Sequence, residues 1–117
     1  MIRPYFLLRH AVPLLLCALP VHLWASDLAI ECQGKTRFIH RGAASTYPQD
    51  EKRQYLVHDM KLDSMTCSVI ETGLACLGLT QQQAMRRVHI NTTHDTVSDT
   101  LQMPTSELIF EGSCEAR

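Results

Sequence analysis

Past residue 25 the sequence keeps four histidines (His40, His58, His89 and His94), with Glu71, Arg87 and several Asp residues among them. These types can bind metals or move protons, so their spacing decides what chemistry is open to them. His89 and His94 stand five apart with Asp95 adjacent, and His58 precedes Asp59. On a strand, residues five apart point to opposite faces, so this pair would need a turn between them to share an ion. The spacing fits no established metal motif, and no metal or cofactor is expected. Glu71, His58, His89 and Arg87 would supply the acid, base and anion-stabilising groups of a small extracytoplasmic hydrolase or nuclease. Nothing in their spacing makes them converge. The chain also lacks G-x-S-x-G, H-E-x-x-H and a glycine-rich phosphate loop. No catalytic residue is therefore assigned. Asn91-Thr92-Thr93 matches a glycosylation sequon, but reads more simply as polar residues alternating on a strand.

The cysteines carry more information. Cys32, Cys67, Cys76 and Cys114 are separated by 34, 8 and 37 residues, too far apart for a zinc site or a C-x-x-C redox motif. An even number in a short exported chain reads as two disulfides, with three possible connectivities. In LAIECQG, Leu28, Ile30 and Cys32 alternate with Ala29, Glu31 and Gln33. In LIFEGSC, Leu108, Phe110, Gly112 and Cys114 alternate with Ile109, Glu111 and Ser113. Each terminal cysteine thus lies on the apolar face of its own strand, and pairing of those strands would join Cys32 to Cys114. Gly34 and Gly112 would let the two backbones approach closely. Cys67 and Cys76 lie symmetrically about Glu71-Thr72, so a hairpin there, tight or loosened through Thr72-Gly73, would join them.

The compartment follows from the first 25 residues. Arg3 and Arg9 precede an apolar stretch from Ala11, and Leu23-Trp24-Ala25 leads into Ser26-Asp27. This is the order of a secretory signal peptide, with cleavage between Ala25 and Ser26. The 14 residues from Ala11 to Trp24 include two prolines and His22, against about 20 needed to span a bilayer. No stable membrane anchor is expected after cleavage. A lipid-modified Cys17 is disfavoured because Leu16 stands where a small residue is needed.

Residues 26–117 then form one small domain with 9 Lys plus Arg against 12 Asp plus Glu, a net charge of −3. That balance argues against nonspecific nucleic-acid binding, which rests on many phosphate-neutralising cations. Only Phe38, Phe110, Tyr47 and Tyr55 remain as aromatics, so the core must be mostly aliphatic and the cross-links matter for stability.

Short strands are expected over 27–33, 35–40, 53–60, 64–71, 74–79, 87–93, 96–102 and 107–114, with residues 41–52 as the longest loop. Thr80 with Gln83 three places on resembles a capping box, and Arg86 and Arg87 would sit at the favourable end of a helix dipole. A short helix near 81–87 is therefore expected. The fold class is mostly β, a small antiparallel sandwich or barrel stapled by disulfides, with a small α+β domain as the alternative. The expected role is binding a protein of the periplasm or extracellular space, without catalysis, as an inhibitor or envelope accessory factor does. Tyr47, Gln82, Arg86 and Arg87 are the candidate partner contacts. A small-molecule or metal carrier and a hydrolase are the alternatives.

Overall fold

The computed structural model describes residues 27–117. The leader and its cleavage residues Ala25 and Ser26 lie outside the described residues. Nine strands follow one another: β1 (Leu28–His40), β2 (Ala43–Thr46), β3 (Glu51–His58), β4 (Lys61–Leu62), β5 (Met65–Ile70), β6 (Gly73–Leu79), β7 (Met85–Asn91), β8 (Thr96–Gln102) and β9 (Ser106–Ala116). Every pairing is antiparallel, and β9 returns to β1 along a ladder from Ile30↔Ala116 to His40↔Ser106. The sheet is closed. It is a barrel of eight strand positions, with β2 and β3 lying one after the other beside β1.

Its size can be read from the register. Starting at Leu28, opposite residues run Val57, Leu62 and Met65. One step beyond Thr66↔Leu77 the row reaches Gly78, which lies against Met65, and it continues through Arg86, Leu101 and Leu108 before returning to β1 at Phe38. The walk comes back ten residues beyond its start. An eight-stranded barrel with such a stagger has an interior that side chains can fill, or that can hold one small ligand.

Alternation explains which residues enter that interior. Ile30, Cys32, Tyr55, Val57, Leu62, Leu74, Val88, Ile90, Val97 and Phe110 are buried in one cluster, with Leu28 and Met60 packed against it. Cys32–Cys114 and Cys67–Cys76 are both disulfides within this cluster, each between directly opposed residues. The Cys114 N–H donates to the Asp95 carbonyl, and the Cys67 N–H to the Met60 carbonyl. Each main chain thus bonds away from its disulfide partner. Both pairs are non-hydrogen-bonded pairs, the positions where opposed side chains come closest. Gly34 faces Gly112 across the same ladder, and a Cβ at Gly34 would lie 1.9 Å from the Glu111 carbonyl oxygen. Only glycine permits that approach.

Tight turns set the register elsewhere. Glu71-Thr72 is a two-residue turn between Ile70 and Gly73. Arg41-Gly42 and Asp59-Met60 have positive φ at both central positions, as two-residue hairpins favour. Two expectations are corrected. The helix near 81–87 is absent: residues 80–84 are a loop, Gln83 is left-handed and β7 begins at Met85. The Thr80 hydroxyl does accept an N–H, but from Ala84, while the Thr80 N–H donates to the Ala84 carbonyl. That closes a hairpin rather than starting a helix. The long loop over 41–52 contains β2, paired to β1 from Arg37↔Thr46 to His40↔Ala43. All four residues of β2 are exposed, so no apolar alternation betrays the strand.

Candidate functional site

The inward positions toward one end of the barrel are polar. Asp99 faces inward between Val97 and Leu101 on β8 and is 3% exposed. Its carboxylate accepts from Tyr55 Oη at 2.8 Å, Arg53 Nη1 at 3.1 Å, and Arg86 Nη2 and Nε at 2.8 and 3.1 Å. Three strands thus meet on one carboxylate. Burial alone would push the Asp99 carboxyl up. The hydrogen bonds and charge of Arg86, joined by Tyr55 and Arg53, outweigh it and hold the group below the ordinary carboxylate range. Burial and the Asp99 charge push the Tyr55 phenol well above its ordinary value, so it stays a donor.

Around this centre Arg53 Nε donates to Glu51 at 2.7 Å, and Glu51 also accepts from the Thr36 hydroxyl at 2.8 Å. Arg86 Nη1 donates to Asp63 at 3.0 Å. The Arg53 guanidinium covers the Phe110 ring at 4.5 Å. In front of the network a cavity of about 290 Å³ opens, walled by Leu101, Leu108 and Phe110. The residues present can hold an anion on the Arg53 guanidinium, whose Nε and Nη1 alone are engaged among the described residues, and an apolar group on the wall.

A second concavity lies on the outside of the barrel. Ala75, Leu77, Arg87, His89, Ser98 and Thr100 line a depression of about 360 Å³ across β6, β7 and β8. His89 Nε2 and the Thr72 hydroxyl share a 3.0 Å hydrogen bond at its edge. Leu77 and Leu79 are 51% and 61% exposed. They are successive outward residues of β6.

The candidate contacts from sequence are scattered over these surfaces. Arg87 lines the outer depression. Arg86, its neighbour, enters the barrel, because consecutive strand residues take opposite faces. Its donors go to Asp99 and Asp63. Gln82 is exposed in the β6–β7 loop, and Tyr47 is half exposed after β2. Among the candidate catalytic groups, Arg87 and His89 share the outer face of β7, and Glu71 occupies the exposed β5–β6 turn. His58 lies at the end of β3, 2.6 Å from Asp27. His94 falls in the turn after β7, which Asn91 and Asp95 brace through their side chains. Among the described residues, no three His, Cys, Asp or Glu side chains are placed to hold a metal ion. No described helix is long and apolar enough to cross a membrane.

Sequence reasoning missed Asp99, Arg53 and Tyr55. Their signal was present: each is a polar residue on the otherwise apolar face of an alternating strand, as in Val97, Asp99, Leu101 and in Arg53, Tyr55, Val57. Comparison with protein-family models, with curated proteins and with solved structures found no match.

Proposed function

We propose that this protein is an exported, non-catalytic binding module. It recognises another protein in the periplasm or outside the cell through the outer face of β6 and β7. The carrying observation is the pair of exposed leucines, Leu77 and Leu79, beside a concave surface rimmed by Arg87, His89, Ser98 and Thr100. Contiguous exposed apolar surface with a polar rim is characteristic of interaction sites. Two disulfides are more typical of an oxidising, extracytoplasmic environment, and the order of the first 25 residues supports export.

The test is affinity capture from envelope and culture-medium extracts with the oxidised domain. The comparison is with Leu77→Glu plus Leu79→Glu, and with Leu56→Glu as an outward-facing control on β3. One saturable partner should bind the wild type and the control. It should be lost by the double variant, whose thermal unfolding should shift little, because surface changes usually stay within about 0.5 kcal/mol each. Equal capture by the double variant, or no enriched protein at all, overturns the reading.

A further inference from the structure

We propose that the open end of the barrel is a second, separate binding site, for a small carboxylate carried on an apolar stem. The inference starts from an energetic oddity. Charged groups inside a barrel are costly, and well-packed apolar residues in their place are often as stable or more so. This barrel nevertheless places Arg53, Arg86 and Asp99 at inward positions, directly beside a cavity. Apolar pockets with a few convergent polar groups are the usual form of a small-molecule site.

Charge and exposure select the ligand. The inner part of the network has two guanidiniums to one carboxylate. The other two acids stand at the rim: the Glu51 and Asp63 side chains are 43% and 68% exposed, and each contacts one arginine, Glu51 at 2.7 Å and Asp63 at 3.0 Å. Arg86 has all three nitrogens engaged, Nε and Nη2 by Asp99 and Nη1 by Asp63, so Arg53 is the guanidinium that offers a donor to an oxyanion. Arg53 is also held in place. Nε is fixed by Glu51, Nη1 by Asp99, and one face by Phe110. Its Nη2 makes no hydrogen bond among the described residues. A guanidinium donates but never accepts, and it matches the planar geometry of a carboxylate.

The wall selects the stem. Leu101 and Leu108 face each other across the β8–β9 ladder and turn inward, yet stay only half-buried. Together with Phe110 they line the cavity. An alkyl or aryl stem would cover them. At about 290 Å³, the space lies at the lower end of the range for ligand pockets, which suits a short alkanoate better than a long-chain lipid.

The test titrates the oxidised domain with octanoate, octanamide and inorganic phosphate, and follows leucine methyl resonances by NMR. Octanoate should move the Leu101 and Leu108 signals saturably with a Kd of about 1 mM or tighter. Octanamide should bind about tenfold more weakly, lacking the charge-assisted bonds, and phosphate should not move those methyls. Leu108→Trp, which fills the cavity, should abolish the octanoate response. The ligand comparison needs no variant, so it stands even if that substitution disturbs packing. No saturable shift with octanoate overturns the proposal. Equal binding of octanamide, phosphate binding as tight as octanoate, or shifts confined to Leu77 and Leu79 overturn it too.

Discussion

One part of the barrel interior is an apolar cluster in which Ile30, Val57, Leu62, Leu74, Val88, Ile90 and Val97 surround both disulfides. The other uses the same inward positions of the same strands for Thr36, Glu51, Arg53, Arg86 and Asp99. Tyr55 joins them, its ring in the cluster and its hydroxyl on Asp99. The first part buries area that contributes on the order of 25 cal/mol per Å². The second gains little over an apolar replacement and depends on complete pairing. Where packing would have sufficed, retained polarity points to a task other than stability.

The sharpest way to break the contrast is to cut the staple of the apolar part. Replacing Cys32 and Cys114 by serine should cost about 4.5 kcal/mol on the chain-entropy estimate, since the disulfide closes a loop of most of the chain. Cys67–Cys76, spanning 9 residues, should cost about 2.7 kcal/mol. Urea unfolding of the two serine variants measures both, and the long-range link should prove the more damaging.

The next effect belongs to the polar part. Asp99→Asn removes the buried charge that two guanidiniums share, and should cost about 3 kcal/mol, because the partly buried arginines keep only the exposed rim carboxylates Glu51 and Asp63 as counterions. Replacing all three charges together, with Arg53→Met, Arg86→Met and Asp99→Leu, should return stability to within about 2 kcal/mol of wild type. Octanoate binding should disappear. If the triple variant proves less stable than Asp99→Asn, the network is structural and the contrast between the two parts fails.

Acid gives the smallest and most graded effect. Asp99 and Glu51 both titrate below their ordinary ranges. Their pairing is therefore fully present above the unfolded values and is lost as pH falls through the folded ones. The thermal midpoint should hold steady from neutrality to about pH 5 and decline below about pH 4. The decline should be shallower in Asp99→Asn, which has lost one of the linked protons. An unchanged slope would remove Asp99 from that linkage.

Much of this fold is legible in the sequence, because period-two alternation and cysteine placement are local signals that tertiary structure had no reason to override. LAIECQG and LIFEGSC put Cys32 and Cys114 on their apolar faces, and the structure pairs them. The errors have equally local causes. Thr80-x-x-Gln83 is compatible with both a helix start and a five-residue hairpin loop, and the flanking strands decide between them. Ala43-Ala44-Ser45-Thr46 shows no alternation because neither of its faces is buried. The barrel mouth was only half legible: polar residues on apolar strand faces mark its members, but not that they meet. Asp99 binds Tyr55 and Arg53, 44 and 46 residues away, and no local pattern announces a partner at that range. Reading Arg86 on a helix also kept it beside Arg87, when the strand sends the two to opposite sides of the wall.

The ladder between β1 and β9 also sets a timetable. The first described strand finds its long partner only in the last, and the Arg117 N–H still reaches back to the Ala29 carbonyl. A chain emerging N-terminus first from a ribosome or a translocation channel can form the β5–β6 hairpin early. It holds β1 with one edge open until β9 has appeared. Closure therefore waits for β9, and termination before that strand would release a strip of sheet with two sticky borders rather than a smaller version of the same domain.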